Sequence, residues 1–326
     1  MIGQMLGGMA AFTTVVFVTL APQSAPAADT VTVGIISPTA TSWPEYIGVR
    51  KGFFQDEGVA IDEVQIGVVE GAQALSAGSL HIMHEPCNSL ITFIEKGGRN
   101  VVIDSVTITP HPGVIVSAKA NDRIADLKGK VLGVPSINAG STVMLRQLLA
   151  QKGLPRSEYE LVTGTGTANL YNGLRAGAFQ ATWLMPPQSL AAASEGFHVL
   201  ASFAEFAPDI PYNCLGINKP WHDANPKLLE KFNATWLKAV RWLYDPQNKR
   251  EASQILADKS KLKLDVAEST YDEMVAKVRA FSLDGKADLP GFKKLIDVMV
   301  EGGELSAQPT GDVTRYLGGA VRQTTK

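Results

Sequence analysis

Apolar residues along the chain fall into short runs, each followed by a stretch in which they recur every three or four positions. Val31 to Ile36 is the first run, and the helix predicted after it carries Tyr46, Ile47 and Val49 before Lys51-Gly52 ends it. Ile61 to Val69 and Leu80 to Met83 are the next two strands, separated by a short helix from Gln73 to Ala77 that stops at Gly78. A helix with Leu90, Ile91 and Ile94 then ends at Gly97-Gly98 and feeds a strand from Val101 to Val106. Short apolar strands alternating with helices in this way build parallel βαβ units, because a parallel neighbour is reached only through a crossover that a helix fills.

Val114 to Ala118 leaves this unit and the same alternation restarts. Strand Val131 to Val134 leads to a helix over Val143 to Lys152, strand Tyr159 to Val162 to a helix over Leu170 to Ala176, and strand Phe179 to Leu184 to a helix over Pro187 to Glu195. A return stretch runs from Pro208 to Lys219. From Asn225 onward the pattern is helical: Pro226 suits a first helical position, and Leu229, Phe232, Trp236 and Val240 recur at helix spacing. Further helices are predicted over about Glu251 to Asp258, Val266 to Ala280 and Phe292 to Glu301, the last stopped by Gly302-Gly303. Their apolar faces need a surface, and the first unit supplies one. The expected domains are therefore a discontinuous lobe 1 (29–117 and 214–326) and a lobe 2 (118–213).

Composition narrows the partner. The 326 residues are 45% hydrophobic and 19% charged, enough for two lobes with cores of their own. A formal net charge of -2 without a Lys or Arg block removes the electrostatic footprint of nucleic acid or an acidic membrane, leaving a small molecule or a protein. Residues 1–28 carry no charge, contain an apolar core from Met9 to Leu20 too short to span a bilayer, and end in the small residues Ala25, Ala27 and Ala28. They read as a secretory signal peptide, although no Lys or Arg precedes the apolar core; the competing reading is a buried N-terminal helix. Export implies an oxidising compartment, where Cys87 and Cys214 can pair if the fold joins them; two separately buried thiols are the expectation.

Four motifs in order carry a resemblance: Lys51-Gly-Phe-Phe-Gln-Asp-Glu-Gly58, Ala74-Leu-Ser-Ala-Gly78, Asp126-Leu-Lys-Gly-Lys-Val-Leu-Gly-Val134, and Met185-Pro-Pro187 before an Ala-rich helix ending in Gly196-Phe197. From Val31 to about Gly303 the chain resembles the periplasmic solute-binding proteins of ATP-driven importers of the nitrate/sulfonate/taurine/bicarbonate type, including the branch that binds the thiamine pyrimidine precursor. It departs from that pattern at His81 and Gln180, where the family usually has Asp. The resemblance implies an α/β, type II periplasmic binding protein fold of two doubly wound lobes joined by two hinge strands. It also implies a small-molecule solute clamped in the cleft, a membrane permease as partner, a periplasmic location and a monomer.

In open α/β sheets a ligand sits beyond the carboxyl ends of the strands. Lobe 1 would then offer Thr41, Ser42 and Trp43, then His84 and Glu85, then Thr109 and His111. Lobe 2 would offer Ser136, Asn138, Gly140, Ser141 and Thr142, then Thr165, Thr167 and Asn169, then Trp183 and Met185, with Tyr212 and Asn213 on the returning strand. The turn from Pro135 to Thr142, ahead of a helix, is the expected seat of an anionic head, and the bland alternative is a helix cap that binds nothing. Trp43 reads as a ligand wall and Trp183 as wall or core; His84-Glu85 is a receiver of solute N–H groups or a plain turn pair. With no Lys or Arg in these loops, the expected solute is an organic carboxylate, sulfonate or heteroaromatic rather than a bare inorganic anion.

No catalytic residue is expected, since no nucleophile motif such as Gly-x-Ser-x-Gly occurs. Nor is a metal or a cofactor: the five histidines are dispersed, and Gly164 and Gly166 lack the Lys of a phosphate loop. The alternative function is that of a cytoplasmic enzyme of the same fold in thiamine-precursor or quinone biosynthesis, against which the signal-like N-terminus speaks.

Overall fold

β1 (Asp29–Ile35) turns Val31, Val33 and Ile35 inward. In the computed structural model, which describes residues 28–137, 139–164, 166–309 and 311–318, it lies inside a five-stranded sheet. The order is β2 (Val59–Gln65), β1, β3 (Ile82–Pro86), β10 (Asn213–Asn218), β4 (Val101–Ile108). The first three strands run parallel, and β10 is antiparallel to both its neighbours. The second sheet repeats the plan as β7 (Glu160–Thr163), β6 (Val131–Val134), β8 (Ala181–Leu184), β5 (Val114–Ser117), β9 (His198–Ser202), with β5 antiparallel to both its neighbours. Each sheet thus receives one strand that has crossed from the other half of the chain, and the two-lobed α/β architecture is present. The signal-peptide expectation for 1–28 lies, up to residue 27, outside the described residues.

Helices fill the crossovers. Lobe 1 carries α1 (Trp43–Arg50), α2 (Phe53–Asp56), α3 (Val68–Ala77) and α4 (Cys87–Glu95); lobe 2 carries α5 (Gly140–Gln151), α6 (Thr167–Arg175) and α7 (Gln188–Ser194). A short α8 (Phe203–Phe206) precedes the return to lobe 1, where α9 (Lys219–Ala224), α10 (Pro226–Tyr244), α11 (Lys249–Ser260) and α12 (Leu264–Tyr271) follow. Trp43, Ile47, Trp236, Val240, Ile255 and Tyr271 of α1, α10, α11 and α12 form one core cluster, so the late helices do bury against lobe 1.

Four expectations change. β5 belongs to the second sheet, with all four residues buried between β8 and β9, so the lobe boundary falls at 109–113 rather than after residue 117. β9 is a strand that the pattern does not announce, because as an edge strand it is only half buried, with Val199 exposed. The last helix, α13 (Leu289–Gly302), is not confined to lobe 1: Leu295, Ile296 and Met299 share a core cluster with Leu90 and Ile103 of lobe 1 and with Leu132 and Leu145 of lobe 2. Cys87 and Cys214 are joined in a disulfide that ties the start of α4 to β10, which replaces the expected pair of separate thiols. The joining follows from topology, since β3 and β10 pair with Glu85 opposite Cys214, two residues before Cys87.

Candidate functional site

The chain crosses between lobes at 109–113 and at 207–212, and these two segments floor a cavity of 170 Å³. Lobe 1 contributes Pro86, Asn88 and Ser89 from the start of α4; lobe 2 contributes Ala139, Gly140, Ser141 and Met144 from the start of α5, and Trp183 from β8. His111, Ile210, Pro211 and Tyr212 come from the crossings and Leu295 from α13. Two helix N-termini therefore converge on the cavity, a favourable environment for electron-rich groups. Among the described residues no Lys or Arg lines it. A larger cavity of 610 Å³ under α13 and the turn near Tyr316 has no strand-end residue in its wall.

One wall is aromatic. The His111 ring stands edge-on to Trp183 and Phe203, with centroids 5.2 and 5.0 Å away, and lies 4.2 Å from Tyr212. Its Nδ1 accepts the Gly113 N–H at 2.9 Å, so in the neutral ring the proton sits on Nε2. Burial pushes the His111 pKa down to about 3, keeping the ring neutral. Burial likewise raises the Tyr212 phenol well above its ordinary value. The His111 Nε2 and Trp183 Nε1 groups are both buried and have no hydrogen-bond partner among the described residues. An unpaired buried N–H costs about 1–3 kcal/mol, and here two of them belong to side chains that line one cavity.

The α5 turn is arranged differently from the expectation. Thr142 is buried, and its hydroxyl donates to the Ser136 carbonyl at 2.6 Å, closing the turn on itself. The Gly140 N–H donates to Glu304 Oε1 at 2.6 Å, and Asn88 Nδ2 donates to the same carboxylate at 3.1 and 3.4 Å. A side chain from beyond α13 thus occupies the seat assigned to a solute's acidic head. Desolvation raises the Glu304 pKa, and the bonds from Asn88 and Gly140 work against that rise.

Of the residues expected at the site, His111, Gly140, Ser141 and Trp183 line the cavity. Trp43 does not: its indole is fully buried, donates to the Ala252 carbonyl at 2.9 Å and meets Tyr271 edge-on, because the helix it starts packs against α10 and α11. Ser42 is buried beside Tyr46, and Thr41 bonds Thr39 in the turn after β1. His84 and Glu85 lie within β3 rather than in a turn. His84 Nε2 donates to the equally buried Glu45 at 2.8 Å, while both Glu85 oxygens are buried without a partner among the described residues. Thr109 sits in the first crossing, its N–H bonded to the Ala280 carbonyl, and Asn213 bonds Thr107 across β10 and β4. Met185 packs against the core; Ser136, Thr167 and Asn169 stand outside the cavity lining. Asn138 and Thr165 lie outside the described residues.

Sequence reasoning missed Asn88, Ser89 and Glu304 as cavity or seat residues, whereas Tyr212, expected on the returning strand, lines the cavity. The first two were within reach, since they start the helix after β3 just as Gly140 starts the helix after β6. Glu304 carries no such local sign.

A family model described as NMT1/THI5 like matches residues 39–249. YtlA of Bacillus subtilis (strain 168), a binding protein by name, is 24% identical over 269 residues, covering 80% of each chain. Among solved structures, the periplasmic aliphatic sulphonate binding protein SsuA from Escherichia coli superposes with a TM-score of 0.73 at 17% identity, over 91% of this chain and 94% of its own. The alkanesulfonate-binding protein SsuA from Xanthomonas axonopodis pv. citri, solved bound to MOPS, gives 0.69 at 16% identity, over 93% and 100%. At such identities the likeness fixes the periplasmic binding protein fold and leaves the ligand open.

Proposed function

The chain belongs to the NMT1/THI5-like family, and from that premise we propose that it captures a small organic solute between its lobes and delivers it to the permease of an ATP-driven importer. The single observation that carries this reading is a cavity built from both lobes whose lining includes Trp183 and His111, side chains whose buried Nε1–H and Nε2–H donors have no partner among the described residues. Those donors take acceptor atoms of the solute, and the rings of Trp183, His111 and Tyr212 take its flat or apolar body. At 170 Å³ the cavity is smaller than drug-sized sites of about 300–1,000 Å³, so the solute is small.

The role is binding without chemistry. The first and last segments of the cavity floor, 109–113 and 207–212, act as hinges, and closure over the solute presents the form a permease recognises. Export by a signal peptide over residues 1–28 and a monomeric state belong to this reading, and the periplasmic SsuA from Escherichia coli supports the location.

A thermal-shift screen of the mature chain against carboxylates, sulfonates and heterocycles tests the reading. A solute at about a hundred times its Kd is expected to add roughly 2.7 kcal/mol of stability. Trp183→Phe keeps an aromatic ring, smaller than the indole, and removes the donor; a lost hydrogen bond of about 0.5–1.5 kcal/mol predicts a Kd higher by up to about tenfold. If no solute shifts melting while some compound is chemically turned over, the chain is an enzyme and the capture reading fails.

A further inference from the structure

The last turn beyond α13 delivers a carboxylate to a fixed place. Gly303, at φ 73°, turns the chain out of the helix in the left-handed conformation, and the N–H groups of Glu304 and Leu305 both bond back to the Met299 carbonyl. Leu305 is buried in the core cluster shared by both lobes. The Glu304 side chain therefore leaves an anchored helix end, reaches the Gly140 N–H of lobe 2, and receives the Asn88 amide of lobe 1.

We propose that Glu304 is a specificity-determining residue: it fills the anion seat at the start of α5 and so makes the cavity reject solutes that carry an oxyanion. The proposal rests on the solute-capture reading above and names what that site refuses. An N–H group and a helix dipole that would draw in a sulfonate or carboxylate are already satisfied by the chain itself. A second anion would lie against a carboxylate, and among the described residues no Lys or Arg lines the cavity to offset the repulsion. Lys96, which favours the charged form of Glu304, is not part of that lining. The two donors on Trp183 and His111, without partners among the described residues, serve an acceptor atom of an uncharged solute without competing for Glu304's bonds.

The test uses the mature chain with methanesulfonate and acetate as probes, read by thermal shift and isothermal titration. Wild type is expected to show no saturable response to either probe. Glu304→Ala empties the seat and is expected to bind methanesulfonate at least about tenfold more tightly than wild type. A folded Glu304→Ala that gains no anion affinity overturns the proposal, and Glu304→Ser replaces it if the alanine variant does not melt cooperatively. A saturable methanesulfonate response in wild type, as strong as that of the variant, overturns it as well, and this arm depends on no variant folding. Uncharged solutes from the screen are titrated alongside. If none binds wild type, the capture reading fails on that arm, whereas Glu304 is judged on the anion arm alone.

Discussion

Glu85 sits on β3 opposite Cys214 with both carboxyl oxygens buried and without a partner among the described residues, and desolvation pushes its pKa up from 4.5 to about 8. A carboxyl raised in the folded state contributes stability that is fully present below its unfolded pKa and is lost as pH rises through the folded one. The protein is therefore expected to lose stability between pH 4.5 and about 8. At roughly 1.4 kcal/mol per unit the full loss is a few kcal/mol. Glu85→Gln is expected to flatten that slope and to be the more stable form at pH 8. Urea midpoints taken across the window check this, and parallel slopes for the two proteins would contradict it. The same residue marks how far a sequence carries at this scale. His111, Gly140, Ser141 and Trp183 were legible because each follows or ends a predicted strand or turn. Trp43 followed a strand too, but its indole is claimed by Ala252, 209 positions away. Glu304 reaches Gly140 across 164 positions, a distance over which no local spacing speaks.

Among elements, α13 is the one whose placement decides the cavity. Asp288 caps it by accepting the Gly291 N–H at 3.0 Å, and on the surface Lys294 of its second turn pairs with Asp209 of the second crossing at 2.9 Å. Gly291 is required there: a Cβ at this position would run into the Asp209 carbonyl oxygen, which is backbone and cannot rotate aside. Gly291→Ala is expected to push α13 off the 207–212 segment at a cost of about 1–3 kcal/mol and, by moving Leu295 away from Ile210, to weaken solute binding. Denaturation midpoints and titrations on the same samples measure both effects; an unchanged midpoint would mean the helix does not seat on Asp209. Periodicity found this helix, with its Gly stop, because an apolar stripe and a terminator are local features. It did not reveal which surface the stripe covers, and two lobes were available. β9 escaped for the converse reason: a half-buried edge strand leaves too weak an alternation to stand out from a loop.

At the scale of the molecule, the repeated strand–helix grammar made two lobes readable, and lobes that repeat a plan invite the inference that each folds alone. The core argues otherwise. Leu75, Leu90 and Ile103 of lobe 1, Leu132, Leu145 and Trp183 of lobe 2, and Leu295, Ile296 and Met299 of α13 belong to one continuous buried cluster. Gln147 of α5 donates to Glu301 of α13, and Arg315 pairs with Glu95 of α4, so the C-terminal segment is tied to both halves. Separating the lobes would expose that shared apolar surface at about 25 cal/mol per Å², a loss neither half recovers alone. The chain is therefore expected to unfold in one transition, with calorimetric and van't Hoff enthalpies equal, rather than in two steps. Glu304→Ala should lower that transition without splitting it, since it removes two hydrogen-bonded contacts and leaves the apolar bridge in place. Two resolved calorimetric peaks in the wild-type protein would show instead that the lobes are energetically separate and that α13 merely lies across them.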